Sequence, residues 1–173
     1  MIVSMLIGGW LCIAGRDDPV WYLLVPLWMF LRMALNAVDG MLAREFGQKT
    51  PLGAYLNELS DVISDAALYL PFVWIAPFGW PAICLVIGLS IVSEMAGALG
   101  PAIGAPRQYD GPMGKSDRAF LFGALGLWAG LVGGVLPDWV FWIMAVVVPL
   151  CILLNIFNRI HSGLAAISSR KSS

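Results

Sequence analysis

The chain alternates between long apolar stretches and short breaks rich in proline, glycine or charged residues. The apolar stretches cover residues 1–14, 20–44, 52–77, 80–104, 118–135 and 138–160. Proline and glycine at such breaks are typical of helix ends. The stretches lack the strict alternation of apolar and polar residues that β-barrel strands show. The pattern therefore predicts an all-α protein, a bundle of about six transmembrane helices that forms a single domain over residues 1–173.

Composition agrees with lipid as the solvent of this chain. Hydrophobic residues make up 60% of the sequence and charged residues 12%, whereas soluble domains carry roughly 25% charged residues. A net charge of -1 argues against a nucleic-acid partner, since no basic surface is available to neutralise phosphates. The first stretch is short for a bilayer-spanning helix and lacks the features of a signal peptide. We interpret it as a first transmembrane helix that is shortened at its N-terminus.

Lysine and arginine are distributed unequally across this predicted topology. Arg32 lies inside the second stretch and Arg16 follows the first. All other basic residues fall on the side that would hold both termini: Arg44, Lys49, Arg107, Lys115, Arg118, Arg159, Arg170 and Lys171. Because positive residues concentrate on the cytoplasmic side of a membrane, we expect both termini and the loops after the second and fourth helices to be cytoplasmic.

Polar residues at membrane depth mark a candidate site on the second and third helices. At helical spacing, one face of each helix collects small and polar residues: Arg32, Asn36, Asp39, Gly40 and Ala43 on the second, and Gly53, Asn57, Asp61, Ser64 and Asp65 on the third, with Glu58 at its edge. Carboxylate and amide oxygens suit Mg²⁺ or Mn²⁺. If the faces are opposed, they predict an oxygen-lined pocket near the cytoplasmic boundary. Alternatively, the small residues serve close helix packing and the polar groups hydrogen-bond across the helices.

The spacing of these residues resembles a known signature. Residues 36–61 read Asn-x2-Asp-Gly-x2-Ala-Arg-x8-Gly-x3-Asn-x3-Asp. The CDP-alcohol phosphatidyltransferase family has Asp-x2-Asp-Gly-x2-Ala-Arg-x8-Gly-x3-Asp-x3-Asp, so every spacing agrees. The chain departs from this pattern at the first and third aspartates, which are Asn36 and Asn57 here.

The resemblance implies roles for the signature residues. By position, Asp39 would be a metal ligand and Asp61 a metal ligand or the catalytic base. Asp65, one helical turn further on, is a second candidate for the base or a further ligand. Asn36 and Asn57 retain a carbonyl oxygen for a metal, but each removes one negative charge. Gly40, Ala43, Arg44 and Gly53 would form the nucleotide cradle, and Glu58 or Asp65 would supply compensating charge. One or two Mg²⁺ or Mn²⁺ ions are the expected cofactors.

The resemblance also implies an activity. An inner-membrane enzyme would move a phosphatidyl or other substituted phosphoryl group from a CDP-linked donor, CDP-diacylglycerol by preference, to a small polyol or polyol phosphate and release CMP. The active site would face the cytoplasm, and a homodimer is expected by analogy. Lys115, in the loop before the fifth helix, and Arg118, at the start of that helix, would bind an acidic acceptor or contact lipid headgroups. Glu94 would join the site or pair with a basic residue such as Arg32.

Two other functions remain open from the sequence. A transporter could use the intramembrane acids as an ion site, although no inverted repeat is visible. A family relative that lost catalysis through Asn36 and Asn57 would bind nucleotide or lipid alone.

Overall fold

The computed structural model describes residues 1–45 and 50–171, and only the backbone of Gly40, Ala43, Arg44, Ser169, Arg170 and Lys171. The described residues form six helices: α1 (Ile2–Ile13), α2 (Leu24–Glu45), α3 (Pro51–Tyr69), α4 (Gly79–Ala98), α5 (Lys115–Val132) and α6, in which Asp138–Trp142 and Val148–Lys171 are joined by a π-helical turn at Ile143–Val147. Short 3₁₀ turns follow α1, α3 and α4 and precede α2. The described residues contain no β-strand. The predicted all-α membrane bundle is confirmed.

The helices differ in how well they suit a bilayer. Within the part of the chain that the structure describes, three helical stretches are long and apolar enough to cross a membrane: Pro19–Asp39, Gly79–Ile103 and Asp138–Ser168. Ile2–Arg16 is a shorter apolar helix. The helix α3 carries charged residues along its length, and α5 carries them in its first turn. Large apolar side chains point outward all along the chain, as in Phe30 and Phe120, which are 76% and 78% exposed. Lipid is the solvent that such a surface requires.

Local chemistry fixes where these helices begin. Asp18 accepts a hydrogen bond from the Val20 amide at 3.0 Å at the start of the turn before α2. Thr50 accepts one from the Gly53 amide at 3.0 Å, and Pro51 occupies the first position of α3. Both arrangements satisfy amide groups that a helix N-terminus leaves without a partner.

The chain divides into two compact units. The first consists of residues 1–76 and 119–136 and contains α1, α2, α3 and most of α5. Its core is aromatic: Tyr69 stacks on Phe122 with ring centroids 3.8 Å apart, and Phe72 contacts both Tyr22 and Phe122 edge to face. The buried Tyr22 hydroxyl donates to the Pro71 carbonyl at 2.5 Å. These contacts hold α2, α3 and α5 together and so position the signature residues.

The second unit consists of residues 77–118 and 137–173. Its main packing is between α4 and α6, with the loop before α5 folded against them. Two glycines permit that approach. A Cβ at Gly97 would lie 2.6 Å from the Gln108 carbonyl oxygen, and Gly111, at φ +111°, would place one 2.7 Å from the Asn155 Cα. The loop can therefore reach the polar residues of α4 and α6.

Candidate functional site

The signature residues of the first unit lie on the last turns of α2 and the first turns of α3. The side chains of Asn36, Asp39 and Asn57 are exposed, and Gly53 is exposed as well. Asp61 lies deeper, with a side chain that is 14% exposed. The oxygens of the outer residues are therefore accessible to a ligand, while Asp61 lies at the base of the signature.

Arg32 bridges the two signature helices. Its Nη2 donates to the Asp61 carboxylate Oδ1 at 3.0 Å and to the Asp61 carbonyl at 3.1 Å. Its Nη1 donates to the Asp65 Oδ1. The Arg32 side chain is 11% exposed and that of Asp65 7%, so these are largely desolvated, charge-assisted hydrogen bonds. The polar faces of α2 and α3 meet at this ion pair.

The residues present suit one divalent ion better than two. Among the residues that the structure describes, no group of three or more His, Cys, Asp or Glu side chains could hold a metal. Two signature positions carry amides, and the carboxylates of Asp61 and Asp65 already contact Arg32. Asp39 remains, together with the exposed amide oxygens of Asn36 and Asn57. Such oxygens are of the kind that Mg²⁺ and Mn²⁺ prefer, and the metal site itself remains a prediction.

Several predicted residues lie where the structure adds less detail. Gly40, Ala43 and Arg44 belong to α2, but their side chains lie outside the described residues, so the nucleotide cradle and the contact of Arg44 with a phosphate remain predictions. Glu58 is half-buried on α3, next to Asn57. A Cβ at Gly53 would lie 3.0 Å from the Thr50 hydroxyl. Gly53 therefore leaves room beside the cap of α3.

A second ionic group lies in the second unit and is centred on Glu94 of α4. Glu94 Oε1 accepts from Arg118 Nη2 at 2.7 Å and lies 3.4 Å from Arg159 Nη1, and its Oε2 accepts from Arg107 Nη2 at 3.2 Å. The Arg118 side chain is completely buried and that of Arg159 is 3% exposed. Glu94 was expected to join the site or to pair with a basic residue such as Arg32. It pairs with basic residues, but with arginines of the loop, of α5 and of α6, whereas Arg32 binds Asp61 and Asp65.

Several donors of this group have no acceptor. The buried Nε atoms of Arg118 and Arg159 and the Nδ2 of Asn155 lack a hydrogen-bond partner among the described residues. Asn155 Oδ1 meanwhile accepts from the Ser93 hydroxyl at 2.7 Å. Arg118 and Arg159 together carry two positive charges against the one negative charge of Glu94. Buried donors without acceptors are costly, so this arrangement is suited to an anion.

Arg107 differs from the other two arginines because it belongs to the loop. Its side chain is 22% exposed and its guanidinium lies over the Tyr109 ring, 5.0 Å from the centroid. Burial lowers the pKa of Arg107, and the nearby Tyr109 and Arg159 have smaller effects in opposite directions. Arginine remains charged at physiological pH despite such a shift.

The sequence indicated only part of this second group. Arg118 was a candidate, and it is fully buried against Glu94, whereas the candidate Lys115 is half-buried at the start of α5. Arg107, Asn155 and Arg159 were not candidates. The signal for the last two was present, since they stand four residues apart near the end of an apolar stretch and thus share a helix face.

Comparison with known proteins identifies the family of the chain. The sequence profile of the family described as CDP-alcohol phosphatidyltransferase matches residues 1–153. The chain is 43% identical over 166 residues to the inner membrane protein YnbA of Escherichia coli (strain K12), covering 95% of this chain and 80% of that protein.

Two more distant relatives are named as synthases. Phosphatidylinositol phosphate synthase of Mycobacteroides abscessus is 34% identical over 67 residues, or 39% of this chain and 30% of that one. Archaetidylinositol phosphate synthase of Aeropyrum pernix is 29% identical over 110 residues, which are 61% of this chain and 56% of that protein. The resemblance read from the signature is thus confirmed: this integral membrane protein belongs to the CDP-alcohol phosphatidyltransferase family.

Proposed function

We propose that the chain is an enzyme that transfers a substituted phosphoryl group from a CDP-linked lipid donor to an alcohol that itself carries a phosphate, and that it releases CMP. The family supports the donor and the reaction. The arginine group at Glu94 carries the proposal for the acceptor, because its buried Nε donors call for an anion. The names of both synthase relatives refer to an inositol phosphate lipid. These names support a polyol phosphate, such as inositol phosphate or glycerol phosphate, as the acceptor.

The proposed reaction needs a base and a cradle for the donor. The acceptor hydroxyl oxygen attacks the phosphorus that bears the lipid, the bond from that phosphorus to the oxygen of CMP breaks, and CMP leaves with that oxygen. Asp61, oriented by Arg32, takes the hydroxyl proton. Gly40, Ala43, Arg44 and Gly53 surround the nucleotide. CDP-diacylglycerol is the donor that we propose.

A divalent ion completes the donor site. Asp39, with the amide oxygens of Asn36 and Asn57, would hold Mg²⁺ or Mn²⁺ together with the diphosphate of the donor. When bound, the ion neutralises the diphosphate and the charge that develops on departing CMP. Lys115 would add a positive charge near the acceptor, and Glu58 and Asp65 would balance charge at the donor site. Positioning and electrostatics supply most of the catalysis in this scheme.

The membrane arrangement is part of the proposal. The distribution of lysine and arginine supports cytoplasmic termini and a cytoplasmic active site. The relative described as an inner membrane protein supports the same location for this chain. A homodimer is proposed by analogy with the family alone.

One competing function has a specific observation in its favour. Asn36 and Asn57 remove two carboxylates, and Arg32 engages a third, Asp61. A chain altered in this way could bind CDP-diacylglycerol without transferring its lipid part. The experiment below separates binding from transfer.

CMP release from CDP-diacylglycerol tests the proposal. Purified protein in detergent receives Mg²⁺ or Mn²⁺ and one of four acceptors: inositol phosphate, glycerol phosphate, inositol or glycerol. We expect metal-dependent release with a phosphorylated acceptor. Asp39→Asn and Asp61→Asn should lower the rate by about 10²-fold or more, whereas Asp138→Asn, an exposed acid at the start of α6, should leave it unchanged.

The other outcomes distinguish the alternatives. CMP release only with the uncharged acceptors inositol or glycerol would refute the phosphorylated acceptor but still support a transferase. Binding of CDP-diacylglycerol without release would favour the non-catalytic relative. Neither binding nor release would reject the whole proposal and return attention to ion transport.

A further inference from the structure

Arg32 is a charged residue inside an apolar helical stretch, where a charge is energetically costly unless it is paired. It lies in Pro19–Asp39, one of the stretches that can cross a membrane. The side chain is 11% exposed and makes hydrogen bonds to two carboxylates and one carbonyl. A guanidinium is planar, always charged and suited to carboxylates. Within the signature helices, Arg32 therefore provides a permanent cation.

The position of that cation coincides with the altered charge of the signature. Four aspartates can balance two divalent ions, but the four signature positions here provide only Asp39 and Asp61 as carboxylates. Arg32 binds the carboxylate of Asp61 and that of Asp65, which lies one helical turn further along α3. Arg32 thus neutralises Asp61, which is the signature carboxylate other than Asp39, and the neighbouring Asp65.

We propose that Arg32 replaces one of the two metal ions, so that the site binds a single divalent cation through its Asp39 end. The guanidinium binds two of the carboxylates as an ion would, and it gives the site a positive charge that does not dissociate. This inference rests on the proposed donor site but not on catalysis, because cation binding can be measured without any donor.

The arrangement also explains why Asp65 belongs with the signature residues. Its side chain is 7% exposed and is bound by Arg32. A buried carboxylate without a cation is strongly unfavourable. Loss of Arg32 would leave Asp61 and Asp65 without this cation, and both would then favour an ion from solution.

Counting bound Mn²⁺ tests the proposal. The loss of the free-Mn²⁺ electron paramagnetic resonance signal is titrated for the purified wild type, Arg32→Gln and Arg32→Lys, without nucleotide. Arg16→Gln serves as the matched control, because Arg16 lies over the Trp74 ring and away from the signature. We expect one Mn²⁺ per wild-type chain, and a wild type that binds none would overturn the proposal. Arg32→Gln should bind a second ion or bind Mn²⁺ at least about tenfold more tightly, and Arg32→Lys should resemble the wild type.

Thermal unfolding provides a second measurement if Arg32→Gln folds poorly. A ligand that binds only the folded state stabilises it by RT ln(1 + [L]/Kd) for each site, so tighter or additional Mn²⁺ binding should raise the Tm of Arg32→Gln more than that of the wild type. Two Mn²⁺ ions on the wild type would overturn the proposal, and so would an Arg32→Gln variant with unchanged or weaker Mn²⁺ binding. A failure of CMP release alone would count against the proposed function and leave this inference standing.

Discussion

Substitution of Glu94 by glutamine is the sharpest test of the ionic group in the second unit. The change removes the carboxylate that Arg107, Arg118 and Arg159 share and keeps its size. The glutamine carbonyl can still accept one hydrogen bond, so the loss is mainly one of charge. Arg118 is completely buried, which leaves its guanidinium without water as a replacement.

The expected cost follows from distance and burial. A pair of unit charges about 4 Å apart attracts by about 4 kcal/mol at the effective dielectric constant of a protein. The contacts to Glu94 lie at 2.7, 3.2 and 3.4 Å. Desolvation and repulsion among the arginines offset part of this attraction, and removal of one partner from a buried pair typically costs about 3–5 kcal/mol. Because glutamine retains one acceptor, we expect Glu94→Gln to lower the free energy of unfolding by about 3 kcal/mol.

Unfolding in mixed micelles with increasing SDS, followed by tryptophan fluorescence, measures this cost. Glu45→Gln is the control, since Glu45 is exposed at the end of α2, and it should change stability by less than about 0.5 kcal/mol. Inorganic phosphate should restore part of the stability of Glu94→Gln, because it would neutralise the remaining arginines. The reasoning would be refuted by a Glu94→Gln variant that matches the control and does not respond to phosphate.

Two further predictions concern helix packing and the signature. Gly8→Ala would place a Cβ 2.2 Å from the Ala67 carbonyl oxygen and should destabilise the protein by about 1–3 kcal/mol. Gly9→Ala, whose Cβ would have no described atom within 4 Å, should be neutral or stabilising by up to about 1 kcal/mol. Equal effects of the two substitutions in SDS unfolding would contradict the packing of α1 on α3. Asn36→Asp combined with Asn57→Asp should tighten Mn²⁺ binding at least about tenfold in the same resonance titration, and unchanged affinity would exclude both positions as ligands.

Most of the fold could be predicted from where apolar stretches end. The break around Pro51 became the start of α3, and the segment at Pro77 became the boundary before α4. The π-helical turn Ile143–Val147 could not be predicted, because its residues are apolar and carry no helix-breaking signal. Such a turn depends on how α6 packs, and periodicity describes only which face of a helix is apolar.

Part of the candidate site could also be predicted from the sequence. Helical spacing put Arg32 on the signature face of α2 and Asp61 and Asp65 on that of α3, and the structure brings these three together. Spacing could not identify the partners of Glu94, since Arg159 is far away in sequence and reaches Glu94 only through the packing of α4 on α6. A periodic pattern identifies a face, but the partner of that face is decided by tertiary structure.

The departures of this chain from its family signature are physically consistent with one another. Amides at positions 36 and 57 lower the negative charge that a second metal would need. If nothing else changed, Asp61 would lose part of the positive charge that stabilises a carboxylate at membrane depth, where an unpaired charge is costly. Arg32 restores that charge through direct hydrogen bonds. If Arg32 replaces an ion as we propose, the asparagines and the arginine act as one set, and reverting the asparagines alone adds acids to a site that still contains its own cation.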